Sequence, residues 1–166
     1  MELIDPPMVG GERESLRGFL DYQRVVLGRK CAELDDEQLR WRAVPSSGLT
    51  LLGLIRHMAE VERFWFRVTA NAERTLPRVW AEEDFQVAFD VTDAAPAEAF
   101  EAWETEIALA REIERSASSL DVCALQPRWG REVSLRFVLM HVIEEYARHN
   151  GHADLIREAI DGATGD

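Results

Sequence analysis

The sequence predicts an all-α protein, a four-helix bundle with long irregular connections, on three observations. Apolar residues recur at steps of three and four along four separate stretches, the period at which side chains stack on one helix face. Residues that start and stop helices bound those stretches: Thr50 and Ser134 as N-caps, Pro96 at a first helical position, Gly162 just past an end. No stretch reads as a strand pair, and no internal repeat is present.

The first helix is expected from Glu12 to about Leu34, with Leu16, Phe19, Leu20, Leu27, Cys31 and Leu34 on its apolar face. Gly28 weakens it without ending it. Asp35 and Gln38 form a capping box that opens a short turn, and Pro45-Ser46-Ser47-Gly48 then breaks the chain. The second helix runs from Thr50 to about Asn71 on a stripe of Leu51, Leu54, Ile55, Met58, Val61 and Trp65. Residues 72 to 95 are mixed, with Pro77 and a short acidic piece around Trp80 to Phe85. Pro96 opens the third helix, which carries Phe100, Trp103, Ile107 and Ala110 on one face. Ser118 to Val133 contains Pro127 and Gly130 and reads as loop. Ser134 starts the last helix, which runs to about Ile160. The connections permit either simple up-down or crossover topology.

Length fits one domain, residues 1–166, large enough to bury a continuous core without disulfides. Thirty-one acids against 19 basic residues leave a net charge of −12. That charge speaks against nucleic-acid binding, which needs a surplus of Lys and Arg, and against adsorption to anionic lipid. Lys30 is the only lysine among the basic residues. Cys31 and Cys123 are too few for a disulfide framework or a Cys-rich zinc site, although a single bridge stays open. The first residues carry no basic or apolar signal region, and no apolar run approaches the roughly 18 residues of a spanning helix. A cytoplasmic protein with no membrane partner is the expectation.

Ionisable residues on apolar faces carry the functional information. His57 lies one turn from both Leu54 and Val61. In the last helix the stripe reads Val138, Val142, Glu145, His149, Ala153, Ile156, so Glu145 and His149 share the face that its apolar neighbours bury. A glutamate is rarely buried without a partner. Glu145 is expected to be the acid taken off the surface. One carboxylate and two imidazoles would leave a coordination position open, the arrangement of a catalytic metal. The Glu-x-x-x-His spacing alone carries no weight, because better than even odds produce it in a chain this acidic. Two readings share the pattern: a metal triad, or a core histidine paired with a core acid or with Arg56. His141 lies four residues before Glu145 and His152 three after His149. A triad of His141, Glu145 and His57 stays open on spacing, as does a role for His152 as hydrogen-bond partner to a coordinating histidine and for His141 on the helix flank.

The strings LTLLGLIRHMAEVERFWF and HVIEEYARHNGHADLIREAIDG resemble the DinB-like superfamily of metal-binding four-helix bundles, over nearly the whole chain to Gly162. They look most like a branch from high-GC bacteria that make mycothiol. The resemblance implies a divalent metal held by one histidine of the second helix and an i, i+4 pair of the last. Matched residue by residue, these are His57, Glu145 and His149. The wider superfamily usually has His where Glu145 stands; the mycothiol-dependent maleylpyruvate isomerases resemble this chain in having Glu. The implied activity is transfer of a low-molecular-weight thiol, typically mycothiol, onto a small-molecule electrophile, or isomerisation through a thiol adduct. A metal-coordinated thiol, with an ordinary pKa of about 8.5, is deprotonated outright. Neither cysteine falls in the motif, so the thiol comes from outside. Arg56 and Arg148 flank ligands and are candidates to hold an anionic cofactor or substrate.

Two other functions fit the same residues. A metal-dependent hydrolase would use bound water and ignore added thiol, and a non-catalytic metal- or ligand-binding bundle would show no turnover. The donor set suits zinc, with nickel or iron also compatible. The resemblance makes a homodimer reasonable. Trp80, Phe85, Phe89 and Trp129 lie in the connections, where they either line a pocket mouth or pack against the bundle's ends.

Overall fold

The computed structural model describes residues 2–80 and 85–165, apart from the side chain of Phe85; residues 81–84 of the expected acidic piece lie outside the description. Four long helices form the bundle. Helix α1 spans Glu12–Cys31, α3 spans Leu51–Glu62 and continues as a π-helix over Arg63–Ala70, α4 spans Pro96–Ser116, and α5 spans Leu135–Asp161. The short helix α2 covers Asp36–Arg40, and a 3-10 turn covers Phe85–Phe89. Helix α1 packs chiefly on α5, and α3 on both α4 and α5. Among the described residues, no helix is long and apolar enough to cross a membrane.

The expected caps hold the ends. Thr50 Oγ1 accepts from Gly53 N at 3.0 Å, and Ser134 Oγ accepts from Phe137 N at 3.2 Å. Asp35 and Gln38 close their box reciprocally, at 2.8 and 3.0 Å. Gly162, at φ +80°, donates its N–H to Glu158 O and stops α5. Helix α1 ends at Cys31, three residues before the expected Leu34: Ala32 is extended and Glu33 turns left-handed at φ +62°. Phe19, assigned to the buried face, is largely exposed.

Three expectations need correction. The 118–133 stretch is not all loop, because Cys123–Gln126 (β1) pairs antiparallel with Arg131–Ser134 (β2) around Gly130 at φ +63°. Alternation was too short there, four residues a strand, to stand out from a Pro- and Gly-containing connection. Cys31 and Cys123 form no bridge; both are free, one buried and one exposed. Glu145 is not the acid placed in the core. It is half-buried, while Glu60, Glu62, Glu106 and Glu114 are buried.

Each of the four meets a cation or a backbone donor brought from elsewhere, and Glu106 Oε2 alone among their oxygens is buried without a hydrogen-bond partner. Arg17 grips Glu114 with two bonds, and Arg63 and Arg67 share Glu106. The amide of Trp80 donates to Glu60 at 2.9 Å. Glu62, fully buried, receives both Nε and Nη2 of Arg24 at 2.7 Å and the hydroxyl of Tyr146 at 2.9 Å. Trp103 Nε1 donates to that same hydroxyl at 2.8 Å. One hydrogen-bonded chain thus ties α1, α3, α4 and α5 together inside an otherwise apolar core.

Candidate metal centre

Helix α3 brings His57 to the seam with α5, one turn beyond the buried Leu54 and one before Val61. Helix α5 presents Glu145 and His149 one turn apart on the facing side. The three residues each offer a ligand atom, and these atoms lie within 4.8 Å of one another. His149 Nε2 stands 3.6 Å from Glu145 Oε2. Donors at about 2.0–2.1 Å in a tetrahedral shell are separated by roughly 3.4 Å, so that edge already has coordination spacing. The rings of His57 and His149 meet edge to face, with centroids 4.7 Å apart.

The environment sets the charge of each group. Burial, helped by the neighbouring His149, pushes the His57 imidazole down to about 4 against the weaker pull of Glu145. It is neutral at pH 7, with a lone pair to offer. The imidazoles of His141 and His149 hold the Glu145 carboxyl well below the usual carboxylate range, so it is ionised. His57 Nδ1 is buried and has no hydrogen-bond partner, an orphan that a ligand would satisfy. Two imidazoles and one carboxylate fit a borderline dication.

The flanking histidines have separate places. His152 Nδ1 lies 3.3 Å from His149 Nδ1, on the nitrogen that does not face Glu145. Burial lowers the pKa of His152. His141 Nε2 lies 3.4 Å from Glu145 Oε1, leaving Oε2 toward His149. The two arginines diverge. Arg56 is buried and donates Nε to Ala88 O at 2.9 Å and Nη2 to Val87 O at 3.4 Å, with its guanidinium 4.2 Å over the Trp80 ring. Arg148 is exposed and pairs with Glu144 and, at 3.5 Å, with Glu145.

A family model now decides the assignment: that for the mycothiol-S-transferases matches residues 15–162. The chain belongs to this family. Among curated proteins no sequence matches it. The mycothiol-S-transferase match takes in all four bundle helices from residue 15 onward, together with His57, Glu145 and His149.

One site residue escaped the periodicity. Phe89 stacks on His57, with centroids 4.8 Å apart at 24°, and lies within 6.5 Å of the His149 ring. Two devices bring it there. Arg56 tethers the adjacent carbonyls, and Gly53 lets the backbone approach: a Cβ at 53 would stand 3.4 Å from Phe89 Cα. No sequence spacing reports either contact. Of the other connection aromatics, Trp80 donates its indole N–H to Arg56 O at 2.9 Å, and Trp129 packs at the other edge of the site. The side chain of Phe85 lies outside the described residues.

Proposed function

We propose that this chain is a divalent-metal-dependent thiol S-transferase that moves an external low-molecular-weight thiol, mycothiol, onto a small-molecule electrophile in the cytoplasm. The observation that carries the reading is the meeting of His57 with Glu145 and His149 in a chain of the mycothiol-S-transferase family. A bound dication, zinc for this donor set, supplies the acidity that lets an incoming thiol react as thiolate at neutral pH.

The protein's own residues do the remaining work. Two coordinating imidazoles, His57 and His149, with the ionised Glu145 would contribute one negative charge to a bound dication, leaving a net positive charge that favours an anionic thiolate over a neutral ligand. His152 and His141 orient His149 and Glu145 from behind, the support that fixes ring tautomer and carboxylate direction. Phe89 covers one face of His57 and keeps water from it. The exposure of Arg148 beside Glu145 supports a part in meeting an anionic group on either substrate, whereas Arg56 acts by tethering the Phe89 turn. In the transfer, the thiolate sulfur forms a C–S bond to the electrophile as the bond to the leaving group breaks. The leaving group departs with its electron pair, and the thiol's proton goes to solvent.

Metal-loaded protein given mycothiol and monochlorobimane should form conjugate faster than the His57→Ala variant. Equal rates would overturn the reading.

A further inference from the structure

Four aromatic rings from three elements meet at the His141 edge of the cluster. Trp65 comes from the π-helical part of α3, Trp129 from the turn of the β1–β2 hairpin, and Phe137 and His141 from α5. All six pairs are in contact, with centroids from 4.2 Å for Trp65–His141 to 6.2 Å for Trp129–His141. His141 lies nearly parallel to Phe137, at 14°, and the same imidazole faces Glu145 at 3.4 Å. The ring cluster therefore runs without a break into the carboxylate of the candidate centre.

Two of these rings do not belong to the core. Trp129 keeps 50% of its surface exposed and Phe137 39%. Aromatic area left in water forgoes the burial that such side chains ordinarily supply. The exposed tryptophan is nevertheless held in place. Gln126, itself buried at 1% exposure, accepts from the backbone N–H of Trp129 through Oε1 at 2.7 Å. Its carbonyl accepts from Gly130 N at 3.0 Å, in a turn closed by the left-handed Gly130. A buried side-chain amide thus fixes the backbone that carries a half-exposed ring.

We infer that Trp129 and Phe137, backed by the buried Trp65, seat the planar, apolar body of the electrophile beside Glu145; this rests on the thiol-transferase reading above. Ring faces and edges reward an aromatic or conjugated acceptor by stacking, and they supply no carboxylate or guanidinium to a charged one. A polyol thiol needs hydrogen-bond partners for its hydroxyls. Such partners lie further along α5, at Arg148 and His152. The two substrates are thereby sorted to different sides: the apolar acceptor to the His141 side, the polar thiol to the His149–His152 side.

Kinetics on Trp129→Ala test the seat, with Phe137→Ala as a second variant should the first disturb the turn. The KM for monochlorobimane should rise about ten-fold while kcat and the KM for the thiol hold, and turnover of iodoacetamide, which has no ring, should not change. Binding of an unreactive bimane, in which hydrogen replaces the halogen, is read by its own fluorescence anisotropy on metal-stripped protein and should weaken in both variants. Unchanged bimane binding, or an equal loss for iodoacetamide, overturns the seat. So does a gel-filtration shift from dimer to monomer with bimane binding intact, which makes the patch a contact between copies of the chain. Bimane binding through Trp129 without any conjugation would sink the transferase reading and leave the seat. Conjugation indifferent to both variants would do the reverse.

Discussion

Two polar clusters bridge α3 and α5 within about two turns of each other, and they differ in what they leave over. Around Glu62 every partner comes from the chain itself: two nitrogens of Arg24, the hydroxyl of Tyr146 and, behind it, the indole of Trp103. Around Glu145 the groups approach one another without closing. His57 Nδ1 has no hydrogen-bond partner, and Glu145 and His149 stop at 3.6 Å. A saturated buried network locks helices in register, since each broken bond leaves an unpaired group in low dielectric. An unsaturated one of two imidazoles and a carboxylate is poised for something that is not protein. Tyr146 and Glu145 are adjacent in sequence, so one helix turn serves both purposes.

The sharpest way to break the contrast is to treat the two glutamates alike. Glu62→Ala strips the buried Arg24 guanidinium of its two bonds to Glu62, leaving it only Asp21, at a cost of about 3–5 kcal/mol. For a chain of this length that lowers Tm by roughly 10–15 °C, read by thermal or urea unfolding. Glu145→Gln in metal-free protein should stay within about 1 kcal/mol of wild type, because Glu145 is half-buried and solvent reaches it. Equal destabilisation by both would erase the distinction. The next effect belongs to the open cluster alone. Zinc at about 100 times its Kd should stabilise the wild type by about 2.7 kcal/mol and raise Tm by roughly 5–10 °C, while His149→Ala shows no shift and retains no metal after tag-free purification. Glu62→Gln should start from a lower Tm and still respond to zinc.

Legibility followed the range of the interaction that decides each feature. Thr50, Ser134, Pro96 and Gly162 act within one turn, so the ends they set were readable in sequence. So were the stripes that bury Leu54, Met58, Val138 and Val142. His57, Glu145 and His149 were legible as polar intruders on those stripes, and the structure brings their ligand atoms together. Buried charge was not legible, because Glu62 is tolerable in the core only through Arg24, 38 residues away, and Tyr146, 84 away. The unpaired spacing rule therefore picked Glu145 as the core acid and overlooked Glu62 one turn beyond the His57 stretch. The place of Phe89 stayed open in sequence for the same reason: its position over His57 rests on Gly53 and Arg56, contacts made across a connection with no periodicity.

The supporting histidines grade the open cluster further. Replacing His152 or His141 by Ala removes an orienting partner, not a ligand atom, so metal affinity should fall by about 10–100-fold, less than on loss of His149, as titration against a competing chelator would show. If either loss matched that of His149, the residue would itself be a ligand and the triad drawn wrongly.

The smallest effect is expected at the cysteines, and it bears on where the reacting sulfur comes from. Burial pushes the Cys31 thiol up to about 12, so it remains protonated and unreactive across the neutral range. Cys123 is exposed at the start of β1 and can be reached by any reagent, yet its Sγ is engaged with the Asp121 carbonyl at 3.3 Å. Iodoacetamide on native protein at pH 7.5 should label the exposed Cys123 and spare the buried Cys31, as peptide mass mapping would read. Cys123→Ser should keep its full conjugation rate with added thiol. A rate that collapses with Cys123 would mean that the chain supplies its own nucleophile, and the open position beside Glu145 would then need a different occupant.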